Sequence, residues 1–239
     1  MFILIGIVVV FGSIVAGYTM HHGNLVVLMQ VSEFIIIVGA GIGATIISNS
    51  TTVLKRMVHD VTALFRPNPY DEHAYAELLQ VLFELFQTAR RDGLIGVEPH
   101  IENPGRSELF AKYPFFASQE RTIAFLTDTL KVLLTGTVEE HHLSEILDAD
   151  LDRQHEEAMA VPHALARLGD AMPGFGIVAA VLGVIITMGE IGGPPEQIGS
   201  KVAAALVGTM LGILLSYGLI SPLGTAVEAR VRSEHAYLD

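Results

Sequence analysis

The chain has 239 residues, a formal net charge of −12 and no cysteine. This composition excludes disulfides and thiolate metal sites, and the negative charge argues against nucleic acid as a partner. The hydrophobic fraction of 51% and the mean hydropathy of +0.49 are high for a soluble protein. Four uncharged runs reach the roughly 20 residues that a helix needs to cross a bilayer: 1–32, 34–54, 171–189 and 202–227.

Two helical hairpins are the simplest arrangement of these runs. The first two spans, about 2–20 and 33–52, are joined by a short apolar loop, and the last two, about 171–189 and 201–222, by a loop rich in glycine and proline. No basic residue precedes the first apolar run and no small-residue cleavage site follows it. We therefore expect a span there rather than a cleaved signal peptide.

The segment between the hairpins is predicted to be a helical domain. Apolar residues recur at helical spacing over 70–91, and a second apolar face runs from Ile123 to Leu134, with turns marked by Pro104 and Pro114 between them. The alternation typical of strands is absent from the sequence. The predicted fold class is all-α: a polytopic membrane protein with four transmembrane helices in two hairpins and a helical cytoplasmic insert.

Basic residues predict the orientation, because cytoplasmic loops of membrane proteins are enriched in Lys and Arg. Of the 14 basic residues, 11 lie in 55–170, two lie in the tail, and only Lys201 falls near the other side. Both termini and the insert are therefore expected in the cytoplasm. The predicted domains are 1–54, the first transmembrane hairpin; 55–170, the cytoplasmic helical domain; 171–222, the second hairpin; and 223–239, a short cytoplasmic tail.

Small residues four apart mark helix faces that can pack closely in lipid. Gly39 and Gly43 form one such pair and Gly208 and Gly212 form another. Both pairs are expected to serve helix packing within the chain, and contact between subunits is the alternative.

A metal site is the first candidate for chemistry. Glu139 precedes His142, and Asp152 precedes His155, by the three residues that helical di-iron sites use. Such sites also need further carboxylates inside an apolar bundle, whereas 139–157 holds eight acids and a single basic residue. A solvated acidic helix is the preferred interpretation.

Ion conduction is the second candidate. Relays through a membrane normally use an ionisable group near the midplane, but Glu33, Asp170 and Glu190 are all predicted at span ends. The span interiors offer hydroxyls: Ser13, Thr45, Ser48, Thr187, Thr209, Ser216 and Tyr217. Because hydroxyls do not hold a proton at neutral pH, a partner chain is expected to supply the carboxylate.

Six sequence blocks, spread along nearly the whole chain, carry a resemblance to a known family when they are taken in order. They are ILIGIVVVFGSIVAGY and EFIIIVGAGIGA in the first hairpin, ARRDGLIGVEPHIENP and ELFAKYP in the insert, and GDAMPGFGIVAAVLGV and ALVGTMLGILLSYGLISPL in the second hairpin. Together they resemble the MotA family of bacterial flagellar stator subunits.

The resemblance implies a ring of these chains, generally a pentamer, around the spanning helices of a dimeric MotB-like partner. That partner has a single span per chain, is anchored to peptidoglycan and carries the essential aspartate. Ion flow to the aspartate would turn the ring, the second hairpin would line the pore, and the insert would push on the rotor protein FliG. The implied activity is transport and mechanical work, without a cofactor or covalent catalysis. The protein would lie in the bacterial inner membrane, in contact with membrane lipid.

The same resemblance assigns roles to charged residues and prolines. Arg90 and Glu98 would contact the rotor, although each alone would be an ordinary surface charge. Asp170 is expected to cap the start of the third span, where Pro173 is tolerated in the first turn. Pro222, near the end of the fourth span, would bend the helix unless the helix has ended. Asp170, Pro173 and Pro222 are the predicted hinge of the pore helices.

Ion choice is expected to depend on two positions of the pathway, to which Tyr217 adds a further hydroxyl. Sodium-driven relatives tend to have threonine at the positions of both Ala180 and Thr209, which supplies oxygen ligands for a dehydrated cation. Because Ala180 has no side-chain oxygen, H⁺ is the predicted transported ion in preference to Na⁺.

Three other functions are carried as alternatives. An ExbB- or TolQ-like energiser of outer-membrane processes shares the pore-helix logic, although those chains typically have three spans and begin outside the cytoplasm. A membrane-bound di-iron enzyme and a passive structural ring are the others.

One departure from the MotA pattern is the tail, which stops 17 residues after Pro222, whereas MotA chains usually continue further.

Overall fold

The computed structural model describes residues 2–136 and 140–238. The helices, in chain order, are α1 (Phe2–Met20), α2 (Leu25–Leu28), α3 (Val31–Ser48), α4 (Thr51–Ala63), α5 (Glu72–Asp92), α6 (Leu94–Glu102), α7 (Glu108–Ala111), α8 (Pro114–Ala117), α9 (Glu120–Thr135), α10 (Glu140–Met188), α11 (Pro195–Leu215) and α12 (Ser221–Leu238). A 3₁₀ turn at Pro104–Arg106 and a π turn at Ser216–Ile220 connect two pairs of them. Residues 2–136 and 140–238 contain no strand, and the all-α prediction is confirmed.

Four helical segments are long and apolar enough to cross a membrane. They are Phe2–Met20, Leu25–Ser48, His141–Met188 and Pro195–Leu238. The four predicted spans fall within these segments, except that the second span ends at Ser48, before its predicted end at 52. The helix ends there. Ser50 then accepts a hydrogen bond from the N–H of Val53 and caps the start of α4.

Packing divides the chain into two compact units. One unit comprises Met1–Pro67 and Ala158–Arg230, and the other comprises Asn68–Glu157 and Val231–Asp239. The predicted domain boundaries concern the membrane rather than packing, and they stay a prediction.

The helix that contains the third predicted span does not begin at Asp170, and the prediction that this residue caps a helix start is wrong. α10 runs without interruption for 49 residues from Glu140 to Met188, and Pro162 and Pro173 both lie inside it. An interior proline removes one backbone hydrogen bond and costs about 3 kcal/mol or more. Apolar packing on both sides offsets that cost, since Leu165 and Met172 are buried.

The helix that contains the fourth predicted span continues past Pro222 and has not ended there. α11 passes through the π turn, in which the N–H of Ser221 donates to the carbonyl of Ser216 five residues earlier, and α12 follows directly. A π turn re-satisfies backbone groups next to a residue that lacks an N–H. The expected irregularity therefore lies just before Pro222.

The unit that holds α5 to α9 has its own apolar core. The core consists of buried side chains from α5 to α8, with the predicted face of α9 packed against it: Val81, Leu85, Val97, Ile101, Leu109, Phe110 and Phe116, with Ile123, Leu126, Leu130 and Leu134. Both predicted amphipathic helices are confirmed as α5 and α9, and Pro104 and Pro114 lie at the predicted turns.

Two carboxylates of α5 hold the turns of this unit. Oε2 of Glu77 accepts hydrogen bonds from the N–H groups of Phe115 and Phe116, at 2.9 and 3.1 Å. Glu84 accepts from Lys112 Nζ at 2.7 Å and from the Tyr113 hydroxyl at 2.9 Å. These bonds, first that of Lys112, lower the pKa of Glu84.

Candidate functional site

The second hairpin is held by direct contact between helix backbones. A Cβ on Gly176 of α10 would lie 2.9 Å from the carbonyl oxygen of Gly208 and 3.0 Å from Cα of Gly212, both on α11. A Cβ on Gly212 would lie 2.7 Å from the carbonyl oxygen of Met172. No larger residue fits these positions without moving a helix, so the predicted packing role of Gly208 and Gly212 is confirmed.

The other glycine pair does not make the helix contact that was predicted for it. Gly39 and Gly43 face open space, with no atom within 4 Å of a Cβ placed on either. The close contact of α3 is made at Gly41, where an added Cβ would lie 3.2 Å from Cδ1 of Leu168. Packing within this subunit is therefore the wrong assignment for Gly39 and Gly43, because the motif does not specify which helix face meets a neighbour.

The two positions predicted to decide ion choice lie close together. A Cβ on Gly208 would lie 3.3 Å from the backbone nitrogen of Ala180 and 3.2 Å from Cβ of Ala179. Thr209 follows Gly208 directly, and both Ala180 and Thr209 are half-buried. The contact thus brings adjacent turns of α10 and α11 together at these positions.

Most hydroxyls of the spans are engaged with their own helix. Four of them donate to a backbone carbonyl three or four residues earlier: Ser13, Thr45, Ser48 and Thr187. Tyr217 lies in the π turn and is 68% exposed. Its neighbour Ser216 is fully buried, and its Oγ has no hydrogen-bond partner among the described residues.

Glu33 is the residue of this region that sequence reasoning undervalued. It is the third residue of α3 and is only 6% exposed. Its Oε2 lies 2.8 Å from the position of a Cβ on Gly208 and has no hydrogen-bond partner among the described residues. The signal was present in the sequence, since Glu33 is the single charge between the uncharged runs 1–32 and 34–54.

The predicted hinge residues lie on two helices that touch. A Cβ on Gly169, four residues before Pro173, would lie 2.7 Å from Oγ of Ser221, which precedes Pro222. Asp170 is exposed in the middle of α10. The two prolines therefore flank one contact between α10 and the start of α12.

The predicted rotor contacts are both accessible. Arg90 is in the last turn of α5 and Glu98 is in α6, and both side chains are exposed. Gly93 separates these helices with φ of 73°, a conformation that favours glycine. Arg91 pairs with Asp92 at 2.7 Å, and this hydrogen bond lowers the pKa of Asp92.

The acid-histidine pairs do not assemble a metal centre in 2–136 or 140–238. No three His, Asp or Glu side chains converge there in a way that could hold a metal ion. His155 instead lies with its ring centroid 4.5 Å from that of His235. Glu139, the acid of the other pair, lies outside the described residues.

Comparison with known proteins places this helix arrangement in a family. Residues 4–93 match the family model described as Motility protein A N-terminal, and residues 117–239 match the model of the MotA/TolQ/ExbB proton channel family. The chain is 38% identical over 230 residues to Motility protein A of Salmonella typhimurium, which covers 96% of this chain and 78% of the relative. The chain belongs to the MotA family.

Two further comparisons concern a second sequence relative and a solved structure. Chemotaxis protein LafT of Vibrio parahaemolyticus is 38% identical over 95% of this chain and 80% of its own. A solved structure of C. jejuni MotAB superposes with a TM-score of 0.76 at 20% identity, over 99% of this chain and 84% of that one. This structural likeness concerns the fold.

The two MotA family models divide the candidate residues. Ala180, Thr209, Pro173 and Pro222 fall within the second match, 117–239, and Arg90 falls within the first. Glu98 lies in the interval between the matches. The roles of all these residues remain predictions.

Proposed function

We propose that this chain is a stator subunit of the bacterial flagellar motor, which couples inward proton flow to rotation and torque. The observation that carries the proposal is its 38% identity to Motility protein A over 96% of the chain. The backbone contact between α10 and α11 gives a closely packed helix pair suitable for a pore wall. The activity is transport and mechanical work rather than covalent catalysis.

A partner chain supplies the central ion-binding carboxylate. Between Asp170 on α10 and Glu190 in the loop after it, and between Lys201 on α11 and Glu228 on α12, the sequence has no acidic or basic residue. We expect the carboxylate to come from a dimeric, single-span, peptidoglycan-anchored MotB-like partner. A ring of five copies of this chain would surround it. The known complex of a relative, C. jejuni MotAB, supports such a partner.

The orientation of the complex follows from its basic residues. We expect both termini and the unit of α5 to α9 in the cytoplasm, below the inner membrane. The exposed Arg90 and Glu98 would then be available to the rotor protein FliG. The support for this contact is their accessibility and the motif in which they occur.

Protons are the proposed transported ion. Ala180 provides no side-chain oxygen next to Thr209, so a dehydrated sodium ion would lack a ligand there. Swimming speed should collapse on addition of a proton uncoupler and should not follow the sodium gradient. Speed that follows sodium and ignores the uncoupler would overturn the choice of ion.

The decisive experiment is complementation with the partner. This chain, expressed with its MotB-like partner in a strain that lacks its own stators, should restore swimming and should co-purify with that partner. Failure of both would remove the stator proposal. An accessible tag before residue 1 on the outer side would instead favour an ExbB- or TolQ-like energiser, and stoichiometric iron in the purified protein would favour an enzyme.

A further inference from the structure

Ser216 continues the buried face by which α11 packs against α10. The buried residues of this face follow one another at helical spacing: Ala205, Gly208, Gly212 and Ser216. Each of the first three meets α10, and a Cβ on Gly212, for example, would lie 2.7 Å from the carbonyl oxygen of Met172. Ser216 is therefore expected to face α10 as well.

The next contact between these helices lies beyond Ser216. It joins Gly169 of α10 to Ser221, whose Oγ would lie 2.7 Å from a Cβ on Gly169. The contacts advance in opposite directions along the two helices, which therefore run antiparallel. Ser216 thus lies opposite the turn of α10 that runs from Gly169 to Pro173.

Two polar groups lie at this level without an ordinary partner. Ser216 is fully buried, and its Oγ makes no hydrogen bond within the described ranges. On α10 the carbonyl of Gly169 has no regular helical donor, because the residue four positions later is Pro173, which has no N–H. Unmatched polar groups between apolar helices are strongly unfavourable.

The surroundings suit a water molecule as the missing partner. Hydroxyls elsewhere in the spans donate to a carbonyl of their own helix, whereas the carbonyls of Gly212 and Ile213 already accept the N–H of Ser216. In membrane helices, groups freed by proline are satisfied by neighbouring helices, hydroxyl side chains or ordered water. A buried water molecule typically makes about three hydrogen bonds, and the hydroxyl of Ser221 at the same contact offers the third.

We propose that Ser216, Ser221 and the carbonyl of Gly169 bind a water molecule between α10 and the π turn. The water accepts a hydrogen bond from the hydroxyl of Ser216, and it donates one to the carbonyl and one to Oγ of Ser221. It joins the turn of α10 interrupted by Pro173 to the π turn, so that the two irregularities form one joint. The site depends on the packing of these helices and not on the proposed stator function.

Thermal melting of the purified full chain in detergent tests the site with Ser216→Ala, Pro173→Ala and the double variant. Ser216→Ala should lower the melting temperature by about 2–4 °C, the effect of one hydrogen bond in a chain of this length. Pro173→Ala gives the carbonyl of Gly169 an N–H donor, so in that background the serine change should cause about half this shift or less.

Two results of these melts would overturn the proposal. An unchanged or higher melting temperature in Ser216→Ala would mean that the buried hydroxyl is unpaired, since its removal is then neutral or stabilising. Additive shifts in the double variant would mean that Ser216 and the carbonyl of Gly169 share no water.

The matched control is Ser13→Ala. Ser13 is an exposed serine of α1 whose hydroxyl donates to the carbonyl of Val10 in the same helix. Its replacement should have the same effect with and without Pro173→Ala. Coupling of Ser13 to Pro173 as strong as that of Ser216 would contradict a local water site.

Density maps that resolve ordered water provide a readout independent of stability. The wild type should show a water peak within hydrogen-bond distance of Oγ of Ser216 and of the carbonyl oxygen of Gly169. The peak should weaken or disappear in Ser216→Ala. A direct hydrogen bond between these two groups, or closed packing with no density between them, would overturn the proposal and leave the stator function untouched.

Discussion

At the scale of single residues, the backbone contact of the second hairpin gives the sharpest expectation. Gly176→Ala would place a methyl group 2.9 Å from the carbonyl oxygen of Gly208. Overpacking of this kind costs about 1–3 kcal/mol, so the melting temperature in detergent, followed by circular dichroism, should fall. Gly174→Ala is the matched control because no atom lies within 4 Å of its added Cβ. Equal melting of the two variants would contradict the contact.

Tyr237 allows packing and hydrogen bonding to be separated. Its side chain is 2% exposed and packs against the rings of Tyr70, Tyr75 and Phe115. Its hydroxyl has no hydrogen-bond partner among the described residues. Tyr237→Ala should destabilise the unit by about 3–5 kcal/mol, as truncation of a buried ring does.

The companion variant Tyr237→Phe should melt at or above the wild-type temperature, because it removes only an unpaired buried hydroxyl. A large loss in Tyr237→Phe would mean that the hydroxyl is hydrogen-bonded after all.

Glu84 predicts a dependence of stability on pH. Its lowered pKa, caused first by Lys112 and then by Tyr113, means that the folded state favours the ionised carboxylate. The stabilisation is present above the ordinary carboxyl pKa and is lost as the pH falls through the lowered, folded-state value. Thermal melts from neutral to acidic pH should show Glu84→Gln less stable at pH 7, with the gap closing in acid. A gap that widens in acid would reverse the sign.

At the scale of elements, α10 shows where local signals mislead. Asp170 and Pro173 are typical of a helix N-terminus, and the sequence therefore predicted a start there. The helix continues because packing around Leu165 and Met172 outweighs the lost hydrogen bond, and such packing is not encoded in neighbouring residues. The spans, α5 and α9 were predictable since length and apolar period are properties of the segment itself.

The site shows the same division between chemistry and placement. Residue type and motif identified Ala180 and Thr209 as a pair, and their adjacency in space depends on glycines four apart on α11. The facing of α3 was not predictable, since Gly39, Gly41 and Gly43 are equally small and only helix rotation decides which of them meets α10. The burial of Glu33 depends on that same rotation.

The hinge prediction belongs to α10 as an element. Pro173→Ala restores one backbone hydrogen bond inside a continuous helix and should make the segment stiffer and more stable. Torque per stator, measured from the rotation of tethered beads, should fall although assembly is normal. Torque equal to that of the wild type would remove Pro173 from the proposed hinge.

At the scale of the whole molecule, torque requires a surface that engages the rotor. Arg90→Glu reverses an exposed charge in the last turn of α5 and should abolish swimming while membrane abundance and partner binding stay normal. Lys131→Glu is the control, since Lys131 is an exposed cation of α9 that pairs with Asp128 within the same helix. Swimming that survives Arg90→Glu would favour a passive ring.

The π turn at Ser216–Ile220 determines the direction in which the side chains of α12 point around the helix axis. It holds one residue more than a regular helical turn, and each residue of an α-helix advances by about 100°. The buried Val227, and Arg230, whose Nη1 donates to the carbonyl of Ala63 at 2.6 Å, both lie after it. Removing one residue from this turn would keep the helix but carry both side chains about 100° away from their contacts. A single residue inserted or removed at this turn therefore changes which face of the following helix meets its neighbours, without changing any residue on that face.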